Sequence, residues 1–243
     1  EGGKQEKAKP SGLVERAVKF YQSNLNNKTA PKAVQYLKDR NITGATAKKF
    51  NIGYAQDSWD ALANYFGPDT PIQELDESGL FSKKDNRFYD RFRGRVIFPI
   101  RNIKGDFIAM GGRIIDEGEP KYLNSPESLI YNKSKILYGI YFAKQEIAKL
   151  DNCYIVEGYT DVIQLHQKGI KNVVSSSGTA LTTDQITLIR RLTSNITMLF
   201  DGDKAGVNAT LRGIVLILSA GLNVSVCAFP EGEDPDSYSQ DRS

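Results

Sequence analysis

Apolar residues recur at helical spacing from Leu13 to Tyr21, through Leu13, Val14, Ala17, Val18 and Tyr21, which predicts a first helix. Pro31 to Arg40 reads as a second, with proline at its start and Val34, Tyr36 and Leu37 inside. A short third covers Thr46 to Phe50, and another runs from Trp59 to Phe66, closed by Gly67-Pro68. Strand signals begin near Phe88. Arg95 to Ile100 reads as a buried strand, Asn102 to Gly105 as a turn and Asp106 to Met110 as the returning strand of a hairpin. Pro120 to Ser125 is loop-like, and Leu137 to Ala148 contains a helix. Residues 12–149 therefore read as α+β, preceded at 1–11 by a polar Gly, Lys and Pro stretch with the character of a linker.

From Asn152 the rhythm changes. Cys153–Val156 is a predicted strand and Thr160–Lys168 a helix; Val173-Val174 lies in a short strand, followed by the small-residue loop Ser175–Thr179. Thr182–Leu192 is a helix with Thr182 or Thr183 as its N-cap, and Ile196–Phe200 is a strand. Lys204–Ser219 is a helix with Leu211, Ile214, Val215 and Leu218 on one face, and Val224–Ala228 is the last strand. Alternation of strand and helix predicts an α/β domain, a mostly parallel sheet flanked by helices. In such sheets ligands gather at the carboxyl ends of the strands.

The chain has 243 residues, of which 40% are hydrophobic and 25% charged, an ordinary globular composition. No apolar run is long enough for a membrane-spanning helix, and no signal-peptide core stands at the N-terminus. The sequence starts at Glu1 without methionine and so reads as an excised fragment. Two cysteines, Cys153 and Cys227, make neither a disulfide framework nor a four-cysteine zinc site, which leaves a reducing cytoplasm as the expected compartment. Both fall in predicted strands and read as buried small hydrophobes. His166, the single histidine, reads as structural and argues against histidine-based triads. The net charge of +3 hides an asymmetry: residues 1–150 carry 25 Lys+Arg against 18 Asp+Glu, and residues 151–243 carry 7 against 11. A basic half beside an acidic half suggests holding a polyanion and holding cations.

The acidic residues follow the strands. Cys153–Val156 leads into Glu157-Gly-Tyr-Thr-Asp161, Ile196–Phe200 into Asp201-Gly-Asp203, and Val224–Ala228 towards Glu233-Asp-Pro-Asp236. If the sheet is parallel, all lie at one edge. Converging carboxylates repel one another unless cations sit among them. Mg²⁺ suits such a site, being a hard ion held by a few carboxylates and completed by water and phosphate oxygens. Two ions about 4 Å apart clamp the attacking and leaving oxygens of a phosphoryl transfer. Singly, each motif also fits a plain turn or a helix cap.

Glu157–Asp161, Asp201-Gly-Asp-Lys-Ala-Gly206 and Gly232–Asp236 together resemble the glutamate and DxD motifs of the Toprim fold. Upstream, Tyr89–Ile100, Gly111-Gly-Arg113, Pro120-Lys-Tyr-Leu-Asn-Ser-Pro126, Lys133 and Leu137-Tyr-Gly139 are similar to the motifs of bacterial DnaG-type primases. The resemblance covers about residues 12–240. It implies a basic α+β subdomain at 12–149, a Toprim domain at 150–232, and the start of a truncated helical subdomain at 233–243. It also implies a DNA-directed RNA polymerase that makes short primers on single-stranded DNA by two-metal nucleotidyl transfer.

By resemblance, Glu157, Asp201 and Asp203 are the catalytic carboxylates. Asp161, Asp234 and Asp236 join them as metal positions for Mg²⁺ or Mn²⁺, two ions in all. Glu157 acts either as a ligand or in deprotonating the 3′-hydroxyl. Nucleotide or template contacts fall to Arg40, Arg91, Arg93, Arg95, Arg113, Lys121, Asn124 and Lys133, with Tyr122 and Phe92 as stacking or packing surfaces. Read without the resemblance, Arg91, Arg93 and Arg95 alternate at period two and form one solvated strand face. The implied partners are single-stranded DNA, ribonucleoside triphosphates and the RNA primer. A replicative helicase and single-strand-binding protein are partners of the full-length protein only. The zinc ribbon usual in the family has no counterpart, since no CxxC spacing occurs. Two alternatives stay open: a Toprim topoisomerase or nuclease, and an inert single-strand-binding module.

Overall fold

The computed structural model describes residues 10–85, 87–200 and 204–228. They form two compact units. The first comprises the chain up to Asp39, Thr43–Ile100 and Asp106–Asn132; the second comprises Arg40–Ile42, Arg101–Gly105 and the chain from Lys133 onward.

In the first unit α1 (Pro10–Asn24), α2 (Pro31–Asp39) and α3 (Gly44–Lys49) follow the predicted helices. α3 starts where the Thr43 hydroxyl accepts the Thr46 N–H at 3.2 Å, an N-terminal cap. Then come β1 (Gly53–Ala55), α4 (Ala61–Phe66), α5 (Ile72–Glu77), β2 (Phe81–Lys84), β3 (Arg87–Asp90), β4 (Arg95–Arg101), β5 (Phe107–Ile114) and β6 (Tyr122–Asn124). One sheet has the order β1-β4-β5-β6, and β2 and β3 form a separate antiparallel pair. The predicted hairpin is β4 and β5. Its turn closes on Asn102, whose side-chain oxygen accepts the Lys104 and Gly105 N–H groups, each at 2.9 Å. The apolar face of α1 (Leu13, Val14, Ala17, Val18 and Tyr21) is wholly buried against Leu62, Leu80, Phe92, Ile97 and Met110. Each such aliphatic side chain contributes about 1.5–3 kcal/mol when fully buried.

Pro120–Ser125 is not the loop expected of it. Tyr122–Asn124 pairs antiparallel with Gly111–Arg113 as β6. Three residues bounded by Pro120 and Pro126 carry too little alternation to announce a strand, and the pairing supplies what local pattern does not.

The second unit holds a short 3₁₀ turn (Lys133–Lys135), α6 (Ile140–Leu150), β7 (Cys153–Val156), α7 (Tyr159–Gln167), β8 (Val173–Ser175), α8 (Thr183–Arg190), β9 (Asn195–Phe200), α9 (Lys204–Ser219) and β10 (Asn223–Ala228). Its sheet has the order β10-β9-β7-β8, parallel at every pairing. Cys153 and Ile155 of β7, Val174 of β8 and Ile196 and Met198 of β9 pack with Ile140, Ala143 and Ile147 of α6, Ile186 and Ile189 of α8, and Ile217 of α9. α6 thus packs with the second unit rather than with the preceding α+β segment. The Thr182 cap is present: its hydroxyl accepts the Gln185 N–H at 3.1 Å, and the Gln185 side chain accepts the Thr182 N–H at 3.1 Å.

One expectation about burial fails here. Cys227 is exposed, as are Ser225 and Val226 beside it on β10. On α9, Leu211, Val215 and Leu218 are 56%, 62% and 57% exposed, whereas Thr210 and Ile217 are buried. The helix is apolar on both sides, so its periodicity does not identify the inward one. Cys153 is buried as expected, and its thiol is pushed up by that burial. His166 is buried against Phe142, ring centroids 6.0 Å apart.

Candidate nucleotidyl-transfer site and nucleic-acid interface

Parallel pairing sends β7, β8, β9 and β10 out of the sheet at one edge. Glu157 is the first residue beyond β7 and is exposed. Its backbone carbonyl accepts the Ser175 hydroxyl at 2.6 Å and the Gly178 N–H at 3.2 Å. Glu157 thus leaves the sheet with its peptide tied to the loop after β8. Asp161 sits in the first turn of α7, where one carboxylate oxygen accepts the Gly158 N–H at 2.9 Å. That is a helix-capping contact, favoured by the positive end of the helix.

Glu157 and Asp161 are hard oxygen donors, the chemistry that Mg²⁺ or Mn²⁺ takes. Asp201, Asp203, Asp234 and Asp236 lie outside the described residues. Among the described residues no three His, Cys, Asp or Glu side chains converge.

The predicted basic residues do not form one solvated strand face. Of Arg91, Arg93 and Arg95, only Arg95 lies in β4, and it is buried at 5% exposure. Its guanidinium donates to the Gly112 carbonyl at 3.2 Å and to the Lys121 carbonyl at 3.4 Å. Gly112 makes room for it: a Cβ there would meet Phe92 at 2.8 Å and the Arg95 side chain at 3.0 Å. Arg91 donates through Nε and Nη2 to the Asn124 carbonyl at 3.3 and 3.1 Å. These two arginines tie strand backbone together. Alternation at period two holds only inside a strand, and Arg91 and Arg93 precede it. Phe92 is core, 1% exposed.

Arg93 is placed differently. It donates to the Asp90 carbonyl, and its guanidinium stacks over the Trp59 ring, 3.8 Å from the centroid. Trp59 is 60% exposed and takes Tyr89 edge-on, with centroids 5.5 Å apart. Trp59, Lys84, Tyr89, Arg91 and Arg93 line an open cleft of about 550 Å³. An exposed indole beside guanidinium and ammonium groups offers a stacking face and phosphate partners together. Trp59 was missed by sequence reasoning, which placed it only in a helix. A lone exposed tryptophan just ahead of a short helix was the available signal.

Arg113 lies between Tyr36 and Tyr122, 5.7 and 5.6 Å from their ring centroids. It donates to the Ile114 carbonyl, while its Nε is buried with no hydrogen-bond partner. Tyr122 is 39% exposed and Lys121 beside it is exposed. Burial pushes the Arg95 guanidinium below its ordinary value, and Arg93, Arg113 and Arg91 push it the same way. The first unit thus gathers guanidinium groups closely enough to repel one another, an arrangement that an anion relieves. Asn124 accepts Arg91 through its backbone in this cluster. Arg40 and Lys133 belong to the second unit, and the Arg40 carbonyl accepts the Gln164 side chain at 2.8 Å.

The model of the DNA primase catalytic core, N-terminal domain, matches residues 20–144, and a Toprim-like model matches residues 154–239. A Toprim-like domain brings with it divalent-metal binding in general. A DNA primase of Clostridium acetobutylicum is 45% identical over 224 residues, covering 91% of this chain and 37% of the relative. One from Pseudomonas aeruginosa is 43% identical over 232 residues, covering 93% and 35%. The chain spans a little over a third of the length of these relatives. A solved DNA primase domain from Pseudomonas aeruginosa matches with a TM-score of 0.91 at 40% identity, covering 96% of this chain and 75% of that one. A DnaG primase catalytic domain bound to single-stranded DNA matches with a TM-score of 0.87 at 39% identity, covering 96% and 77%. On both its halves, then, this chain belongs to the family of DnaG-type DNA primase catalytic cores.

Proposed function

We propose that this chain is the RNA-polymerising core of a primase. It takes a single-stranded DNA template and ribonucleoside triphosphates and joins them into a short RNA primer. The reaction is attack of a ribonucleotide 3′-hydroxyl on the α-phosphate of the incoming triphosphate. The observation that carries this reading is Glu157, exposed at the carboxyl edge of an all-parallel sheet and anchored there by its own backbone.

In this reading residues 150–232 are the Toprim domain. Glu157, Asp201 and Asp203 are its catalytic carboxylates, and Asp161, Asp234 and Asp236 support them. These residues would hold Mg²⁺ or Mn²⁺, two ions in all. Bound there, the ions supply charge neutralisation for the attacking and leaving oxygens of phosphoryl transfer. In this reading Glu157 serves either as a metal ligand or in taking the 3′-hydroxyl proton. Asp161 fixes the start of α7. Arg93 and Trp59 bind template, the first by its charge and the second by stacking. Arg113 and Lys121 face phosphate, and bidentate guanidinium contacts suit a triphosphate. Lys133 and Arg40 are further nucleotide or template contacts. Helicase and single-strand-binding protein are partners of the longer protein.

The test is synthesis of labelled RNA from ribonucleotides on a single-stranded template. The chain is expected to synthesise with Mn²⁺ or Mg²⁺, and Glu157→Gln to lose at least about 10³-fold in rate, several kcal/mol of transition-state stabilisation. Near-parental synthesis by that variant overturns the assignment. A covalent protein–DNA adduct in place of RNA supports the topoisomerase alternative.

A further inference from the structure

The hydroxyl of Ser175 sits at the place where the parallel ladder between β7 and β8 runs out. The register pairs Val156 with Ser175, so Glu157 is the first residue beyond the ladder. A carbonyl leaving a ladder needs a new donor. Ser175 supplies it. The residue is wholly buried, its Oγ donates to the Glu157 carbonyl at 2.6 Å, and the same Oγ accepts the Ser177 N–H at 2.8 Å. Its own backbone is fixed in turn. Ser175 N–H donates to the Tyr138 carbonyl at 3.0 Å, and Tyr138 N–H donates to the Ser175 carbonyl at 2.8 Å. On the far side of Glu157, Asp161 accepts the Gly158 N–H. The Glu157 peptide is therefore held on both sides by buried or capping groups, while its side chain stands at the surface.

We infer that Ser175 is a positioning residue: its hydroxyl sets the backbone from which the Glu157 carboxylate reaches towards metal and substrate. The inference rests on the reading of Glu157 as a catalytic carboxylate. A carboxylate that must meet an ion within a few tenths of an ångström depends on a locked backbone. Removing the Ser175 oxygen leaves the Glu157 carbonyl with the longer Gly178 contact of 3.2 Å and strips the Ser177 N–H of its acceptor. Glu157 then samples several directions, and metal affinity falls with synthesis.

The test compares the parent chain with Ser175→Ala, Ser175→Thr, Thr182→Ala and Glu157→Gln. Thr182→Ala removes a capping hydroxyl of the same unit that does not touch Glu157. Free Mn²⁺ is counted at equilibrium by electron paramagnetic resonance, alongside melting temperature and the split of kcat from the template KM. Ser175→Ala is expected to weaken Mn²⁺ binding about tenfold and to lower kcat by at least as much, with KM for template unchanged. Thr182→Ala is expected to lose stability while keeping Mn²⁺ affinity. Ser175→Thr, which keeps the hydroxyl, should recover part of the lost affinity. If Ser175→Ala melts below the assay temperature, Ser175→Cys takes its place against Ser175→Thr. Mn²⁺ affinity and kcat within twofold of parent in the folded variant lacking the hydroxyl overturn the inference. A Glu157→Gln protein that binds Mn²⁺ and synthesises like the parent overturns the underlying reading instead, whatever Ser175→Ala does.

Discussion

Arg93 and Arg95 are two residues apart and have opposite relations to the fold. Arg95 is buried and donates to the Gly112 and Lys121 carbonyls, so Arg95→Ala is expected to remove one donor from each and to cost about 1–3 kcal/mol. Arg93 lies over an exposed indole, so Arg93→Ala should change stability little and weaken single-stranded DNA binding. Chemical denaturation and fluorescence anisotropy on the two variants check the pair; equal effects in both assays would contradict it. Asp90 carries a pH dependence. It accepts the Leu62 and Ala63 N–H groups at 2.6 and 3.1 Å, yet burial, its largest influence, holds its carboxyl above the usual carboxylate value. The native state therefore binds this proton more tightly than the unfolded chain. Its contribution is full below the unfolded value and is lost as pH rises through the folded one. The stability of the parent relative to Asp90→Asn is expected to grow as pH falls through that window, in denaturant titrations at several pH values.

Helix α9 displays the same contrast between two faces of one element. Ile217→Ala is expected to cost about 2–5 kcal/mol by opening a cavity in the core of the second unit. Val215→Ser, on the exposed face, should stay within about 0.5 kcal/mol of the parent. Urea unfolding separates the two. The extent of this helix was legible in the sequence, because its residues form a long run at helical spacing with Gly202 before it and Gly221 after it. Its inward side was not, because both sides are apolar. The strands of the second unit were legible for a related reason: each is a short apolar run set between polar or glycine-containing stretches of sequence. β1, β2, β6 and α5 were not. β1 and β6 have three residues each, and α5 starts on Ile72, which is 67% exposed. Such elements exist through pairing and tertiary contact, which local pattern does not register. The same limit hid the buried role of Arg95, since alternation does not tell that β4 is covered on both faces. Glu157 and Asp161 could be read as candidates from their place after a strand, but the backbone clamp on Glu157 depends on Ser175, far along the chain.

For the whole chain, the net charge of +3 understates the first half, where cations outnumber anions by 25 to 18 through residue 150. Under the proposed function, binding of single-stranded DNA should follow salt with a slope of about −0.7 per phosphate neutralised. Lys121→Ala is expected to flatten that slope by about 0.7 if Lys121 holds template. If it holds the triphosphate, the slope stays and nucleotide affinity falls. Affinity indifferent to salt would contradict phosphate recognition altogether. The second unit also gathers pieces from three places in the chain. The side chains of Gln164 and Gln167 on α7 donate to the Arg40 and Asn41 carbonyls, each at 2.8 Å. Lys144 donates to the Ile103 carbonyl at 2.7 Å, and Gly105, at φ 108°, leaves the Tyr141 ring room that a Cβ would take. A gene cut after Asn132 would therefore yield a downstream product without its own seams: two glutamines, a lysine and a tyrosine would face solvent where peptide belongs. This unit is not a cassette that can be lifted out and grafted elsewhere, and a chimera that exchanges it has to carry residues 40–42 and 101–105 along with it.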